Sequence, residues 1–167
     1  MSAARQVREA LGQALGASGI AAVQAYEKEK FSPLSSVLCV IGERAAHIGA
    51  AGALDYLGER WNEERGTVEE VYGKTWQLTL SVDIFAPRTA GAAACEEASE
   101  EVTAVLLQNL PSGLRAEEIS WEESRWDKEY GLFLRRGSVK FSASFLATAA
   151  EDETVVSDFI LKGVVKT

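Results

Sequence analysis

The spacing of apolar positions changes along the chain and marks its elements. Val7, Ala10, Leu11, Ala14 and Leu15 follow the i, i+3, i+4, i+7, i+8 pattern of one helical face, with Arg5, Arg8, Glu9 and Gln13 around the rest. This predicts a short amphipathic opening helix, ended by Gly16, Ser18 and Gly19, residues that tolerate left-handed geometry. Strand character begins near Leu34, after Pro33. The run Val37-Leu38-Cys39-Val40-Ile41 is apolar without alternation, as in a strand buried on both faces. From Ala45 to Arg65 two patterns compete: Leu54, Leu57 and Trp61 fit a helix, whereas Gly49, Gly52 and Gly58 suit irregular or bulged strand. Strict alternation then marks Lys74 to Ala86 as a strand, with Trp76, Leu78, Leu80, Val82, Ile84 and Ala86 on the core face and Thr75, Gln77, Thr79, Ser81 and Asp83 on the wet one. Pro87 ends it, because proline has no N–H for the ladder.

A second helix is predicted from Ala92 to about Leu110, with Cys95, Ala98, Val102, Val105 and Leu106 as its buried stripe. Glu96, Glu97, Glu100 and Glu101 lie in its early turns, where the positive end of the helix dipole favours carboxylates. Pro111 and Gly113 stop it. Beyond Glu117 the signals are β: Ile119/Trp121, Tyr130/Leu132/Leu134, Val139/Phe141/Ala143/Phe145 and Val155 to Val165, with turn points at Gly137-Ser138 and Glu151-Asp152-Glu153. The order predicts an α+β fold, two helices packed on a mainly antiparallel sheet, as one domain over residues 1–167.

At 167 residues the chain is long enough to bury roughly two thirds of its unfolded surface without a disulfide or metal staple. Its 17 Lys and Arg against 25 Asp and Glu give a net charge of −8, which argues against a tight grip on nucleic acid, since phosphate binding needs clustered cations. Cys39 and Cys95 stand far apart, outside any zinc or redox spacing, which fits a reducing compartment. The N-terminus lacks the apolar region of a signal peptide, and no stretch approaches the ~18 apolar residues that span a bilayer. The expectation is a cytoplasmic, soluble chain without a membrane partner.

The candidate chemistry is sparse. Gly73-Lys74-Thr75 ends like a phosphate-binding loop, but the glycine that motif requires five residues earlier is Val68, and the segment opens a strand instead of a helix. His47 is the single histidine, so a catalytic triad would have to pass through it, and no nucleophile motif lies nearby. Glu122, Glu123 and Asp127 supply carboxylates for acid–base work, but neighbours on an extended strand point to opposite faces. Both cysteines fit apolar faces, where thiols pack as small hydrophobes. The expectation is therefore no enzyme, no catalytic residue, no cofactor and no metal site. Trp61 and Trp126, flanked by charge in Glu-Arg-Trp-Asn-Glu-Glu and Ser-Arg-Trp-Asp-Lys, either anchor a subunit interface or cap the edge of their own core.

The segment from Tyr72 to Pro87, Tyr-Gly-Lys-Thr-Trp-Gln-Leu-Thr-Leu-Ser-Val-Asp-Ile-Phe-Ala-Pro, carries a resemblance that extends over most of the chain. With Gly91, Cys95-Glu-Glu, the stretch Ile119-Ser-Trp-Glu-Glu-Ser-Arg-Trp-Asp127 and the strand from Gly131 to Arg136, it resembles the tail terminator proteins of tailed bacteriophages and phage-tail-like particles. The resemblance implies a small α+β subunit that closes into a ring, commonly a hexamer, on the head-proximal end of the tail tube and stops its polymerisation. It further implies docking of a head connector, contact with sheath protein in contractile tails, and assembly in the bacterial host cytoplasm into the virion.

Ring closure requires one patch to meet a different patch on the next copy, and exposed sheet edges supply such patches. The candidate interface residues are Trp61 and Trp126, with Phe159 and Leu161 on the last strand. Glu63, Glu64, Glu69 and Glu70 flank Gly66 and either line a channel, where they would keep passing DNA to weak non-specific contact, or form a solvated hairpin tip. Alternatives are another neck protein, a tube subunit, or a small carboxylate-based enzyme or ligand-binding domain.

Overall fold

The structure is a computed structural model, which describes residues 3–25, 34–51, 53–110, 113–150 and 160–161. Among the described residues two α-helices, α1 (Ala3–Ala17) and α2 (Gly91–Gln108), pack on one nine-stranded sheet, so the fold is α+β as its patterning predicts. The strands are β1 (Ala22–Gln24), β2 (Leu38–Ala50), β3 (Tyr56–Asn62), β4 (Thr67–Ala86), β5 (Leu114–Trp121), β6 (Arg125–Asp127), β7 (Leu132–Arg135), β8 (Gly137–Ala150) and β9 (Ile160–Leu161). All pairings are antiparallel except β1 with β2.

The 20-residue strand β4 is the spine. On one side it pairs with β2 through residues 74–85 and with β3 through residues 67–72, so β2 and β3 follow one another along the same track. On the other side it pairs with β8 and, at its end, with β7. Strands β5 and β9 lie beyond β8, and β6 lies beyond β7. The competing patterns between Ala45 and Arg65 thus resolve as strand. Ala53–Asp55 form a short 3-10 turn, an excursion that interrupts the track, with Leu54 and Asp55 at positive φ, and a bulge follows between Tyr56 and Gly58. That break scrambles the period-2 signal, which is why helical spacing matched as well.

The six alternating residues of β4, Trp76 through Ala86, are all buried and face the helices. They meet Val7, Leu11 and Leu15 of α1 and the stripe Cys95, Ala98, Val102, Val105 and Leu106 of α2, with Val139, Phe141 and Ala143 of β8 beside them. A second cluster, Leu38, Val40, Phe85, Leu132 and Leu134, occupies the opposite face. The run from Val37 to Ile41 is apolar throughout because Cys39 and Ile41 belong to one cluster and Leu38 and Val40 to the other. Tyr130 lies in the turn between β6 and β7, not in the strand its spacing suggested, because Asp127 Oδ1 accepts the N–H groups of Glu129 and Tyr130 at 2.9 and 3.1 Å and closes that turn.

Trp121 ties sheet to helix. It pairs with Gly137 in register, and its indole N–H donates to Thr103 Oγ1 on α2 at 3.0 Å. A Cβ on Gly137 would come within 2.7 Å of both the Trp121 ring and the Val82 carbonyl oxygen, so only glycine fits beneath the indole.

Candidate functional site

The helices cover only half of the spine. Below Trp76, the strands β2, β3, β4 and β8 continue as an arm, and at ~3.3 Å per residue the nine residues from Thr67 to Thr75 carry it ~30 Å beyond the core. Register places Ile48, Tyr56, Trp61 and Val68 on the face that α1 and α2 cover higher up. Without a helix over them these apolar side chains stand in solvent: Ile48 is 62% exposed and Trp61 61%. Leu54, on the excursion, is 95% exposed. Its left-handed backbone, unusual for a branched residue, holds it out from the sheet, and Asp55 beside it pairs with Lys74.

The arm is nonetheless internally tied. Asn62 Nδ2 donates to Glu69 Oε1 at 2.6 Å, and Arg60 Nη2 lies 3.4 Å from Glu69 Oε2. Asn62 Oδ1 accepts the N–H groups of Glu64 and Arg65 at 2.9 and 3.1 Å, which closes the β3–β4 turn. Tyr56 and Tyr72 pack edge to face, 5.8 Å apart, and the Tyr72 hydroxyl donates to Glu70, which raises the phenol above its ordinary range.

Of the four acids around Gly66, Glu63 and Glu64 sit exposed at the hairpin tip. Glu69 is buried inside the hairpin, taken out of solvent by Asn62 and Arg60, and Glu70 points to the opposite face of β4. The four therefore do not form one surface, because adjacent strand residues alternate. Trp61 and Trp126 lie at opposite ends of the spine: Trp61 pairs with Val68, and Trp126 with Phe133, which pairs with Ala86. Trp126 is 40% exposed, packs edge to face on Phe133 at 5.0 Å and carries the Arg88 guanidinium 5.9 Å from its ring centre. Leu161 pairs with Phe145 in the β8–β9 ladder, whereas Phe159 and most of the strand expected over Val155 to Val165 lie outside the described residues.

The region around Trp61, a candidate sheet edge in the sequence, is one, in β3, whereas the free edge of β2 beyond Ile41 was not legible. Among the described residues no strand pairs with the outer side of β3 or of that part of β2. Such unpaired N–H and C=O rows are ready to accept another strand.

The sheet face away from the helices holds a shallow groove of about 450 Å³ lined by His47, Gln77, Thr79, Glu117, Glu118 and Lys140, among others. Lys140 Nζ donates to Glu118 Oε2 at 2.5 Å. His47 is exposed on β2, and Glu122 and Glu123 are exposed beside β5. Asp127 spends one oxygen on its turn. Gly73, Lys74 and Thr75 lie within β4 rather than at its start, and Thr75 Oγ1 donates to the Ala50 carbonyl at 3.1 Å. Among the described residues, no three His, Cys, Asp or Glu side chains are grouped to hold a metal ion, and no helix is long and apolar enough to cross a membrane.

Two buried thiols and one partly buried carboxyl give checks on the core. Burial pushes the Cys39 thiol up to about 12, with the Asp83 charge adding to it, and burial also raises Cys95. A thiol reagent at neutral pH should therefore label both at least a hundredfold more slowly in the native chain than in urea, read as absorbance of the released chromophore. Asp83, partly buried, is raised chiefly by desolvation; Arg44, whose guanidinium lies 4.0 Å away, the Gly137 N–H and Arg136 pull it back down, and Glu122 pushes it up. A carboxyl raised on folding binds its proton more tightly in the native state, so its contribution to stability falls as pH rises from the unfolded value through the folded one. Asp83→Asn should thus raise neutral-pH stability and remove that part of the pH slope, as measured by urea melts from pH 3 to 7.

No protein-family model matches the chain, and no curated protein matches it. Among solved structures, the chain is similar to one from the virion of a native gene transfer agent particle, at a TM-score of 0.38 and 16% sequence identity, over 86% of this chain and 98% of that chain.

Proposed function

We propose that this protein is a virion assembly subunit that closes into a ring, a hexamer in the arrangement the sequence resemblance implies, and caps the head-proximal end of a phage tail tube or tail-like tube. The observation that carries this reading is the arm: a well-tied stretch of sheet whose apolar face and edges the chain's own helices leave uncovered. Exposed Ile48 and Trp61 on strand, with Leu54 on the excursion between them, cost solubility unless another surface covers them. Free β edges add a second way for a neighbouring copy to bind. A closed ring uses up these surfaces among its own members, so the next tube layer finds none open, and polymerisation ends by geometry alone. The partners in this reading are further copies of the chain, the tail tube protein and, according to tail type, the sheath protein and the head connector. The net charge of −8 keeps contact with passing DNA weak. The protein would assemble in the bacterial host cytoplasm and remain in the virion.

The test is negative-stain microscopy of the purified chain, alone and mixed with growing tail tubes. Rings, and tubes of limited length bearing a terminal collar, are expected. Stacking of the chain into tubes of its own would instead identify a tube subunit, and uncapped tubes of uncontrolled length would remove the capping role.

A further inference from the structure

We propose that the outer edge of β2 in one subunit, over residues 43–50, pairs antiparallel with the outer edge of β5 in the next, so that one sheet runs on around the ring. The inference rests on the ring reading above and specifies which two edges meet. Among the described residues no strand pairs with either edge, and residues 43–48 stand exposed along β2. Both edges lie at one height on the spine. Register sets Ile48, Trp76, Ala143 and Leu114 side by side across β2, β4, β8 and β5, and, higher up, Gly42, Ser81, Ser138 and Ser120. Direction matches as well. Because β2 is antiparallel to β4, β4 to β8 and β8 to β5, β2 and β5 run in opposite directions. Rotation about an axis along the strands keeps those directions. It therefore brings β2 of one copy against β5 of the next as an antiparallel pair, with the helices of both on the same side.

The edges also match in detail. Each carries one bulge, β2 between Glu43 and Ala45 and β5 between Ala116 and Glu118, and both bulges border the row of Thr79. A bulge on one edge alone would throw a partner strand out of step, whereas one extra residue on each side restores the register. The extra residues are Arg44 and Glu117, opposite in charge. Arg44 approaches Asp83 no closer than 4.0 Å, and among the described residues no cation pairs with exposed Glu117. The other charges leave both edges close to neutral within a chain of −8: Glu43 offsets Arg44 on β2, while on β5 Arg115 offsets Glu117 and Glu118 is paired with Lys140. Residues 45–50, Ala-Ala-His-Ile-Gly-Ala, carry no Lys, Arg, Asp, Glu or Pro, the residues that keep a free edge from pairing, whereas β3 carries Glu59 and Arg60. Pairing also sets Ile48, exposed in the lone subunit, beside Leu114 of the neighbour, which shelters part of the apolar face that α1 and α2 leave open.

Disulfide trapping tests the pairing on the full chain. Ala46 and Ala116 share the row of Leu78, and native Cys39 and Cys95 are buried. Within one chain the two alanines lie three strand spacings apart, ~14 Å, too far to bridge. Under mild oxidation with diamide, the variant with both Ala46→Cys and Ala116→Cys should give a ladder of covalent multimers up to the full ring on a non-reducing gel, and either single variant should give none. Separately, Ala45→Glu with Ala46→Glu, at exposed positions that the pairing sets against Glu117 and Glu118, should weaken assembly at least tenfold by native mass measurement, with the melting temperature of the subunit unchanged. Covalent dimers from Ala46→Cys alone would show β2 meeting β2 and overturn the pairing. A missing ladder from the double variant, or rings that survive the two glutamates, would overturn it too, while wild-type rings leave the ring reading standing. A wild-type chain that stays monomeric would overturn both.

Discussion

Phe141→Ala is expected to lower the unfolding free energy by about 3–5 kcal/mol, the usual cost of emptying a buried aromatic site. Phe141 is among the largest fully buried side chains and sits on β8 opposite Leu78, where both helices and the spine converge. A cavity there would close only in part, because hydrogen-bonded strands and two packed helices wall it. By contrast, Trp61→Ala, also an aromatic truncation but on the exposed arm, should change subunit stability by no more than about 0.5 kcal/mol. Urea melts of the two variants at a concentration where the chain is monomeric measure the difference. Similar losses in both would mean that Trp61 packs on its own subunit, the alternative in which the ring merely caps the edge of its core.

Gly137→Val should be the most damaging single change at a position with no side chain. The new methyls would meet the Trp121 ring and the Val82 carbonyl, and overpacking of this kind costs about 1–3 kcal/mol. Displacing the indole also breaks its bond to Thr103, uncoupling α2 from β5. Trp121→Ala in the same background relieves the clash, so the double variant should lose less than the sum of the two single variants, a coupling that a double-mutant cycle of thermal melts reads directly.

What was legible in the sequence follows from how much of each signal is local. The core half of β4 and the stripe of α2 were readable residue by residue, because a half-buried strand and a half-buried helix impose their periods on the chain. The apolar run at Val37 to Ile41 was likewise readable as burial on both faces, although which cluster lay on which side was not. The arm was not legible. Its apolar residues do not alternate into a core, and the excursion at Leu54 and Asp55 interrupts the track in the middle. Strand β1 was missed because three residues paired in parallel leave no pattern, and β6 because three residues, two of them charged, show no alternation of apolar positions. The burial of Glu69 depends on Asn62 seven positions away, a partnership visible only once the hairpin is closed. At the candidate interface, the sequence could single out Trp61 and Trp126 by their charged neighbours, but their separation by the length of the spine is a property of the register.

Hydrogen exchange of the outer-edge amides of β3 and of Glu43 to Ala50 in β2, followed as protein concentration rises, asks directly whether other copies cover the arm. Protection at these amides should climb together with the fraction of assembled chains, while amides of the helix-covered core stay equally protected throughout. Fast exchange along the arm at every concentration, with rings present, would contradict coverage of this surface by neighbouring copies.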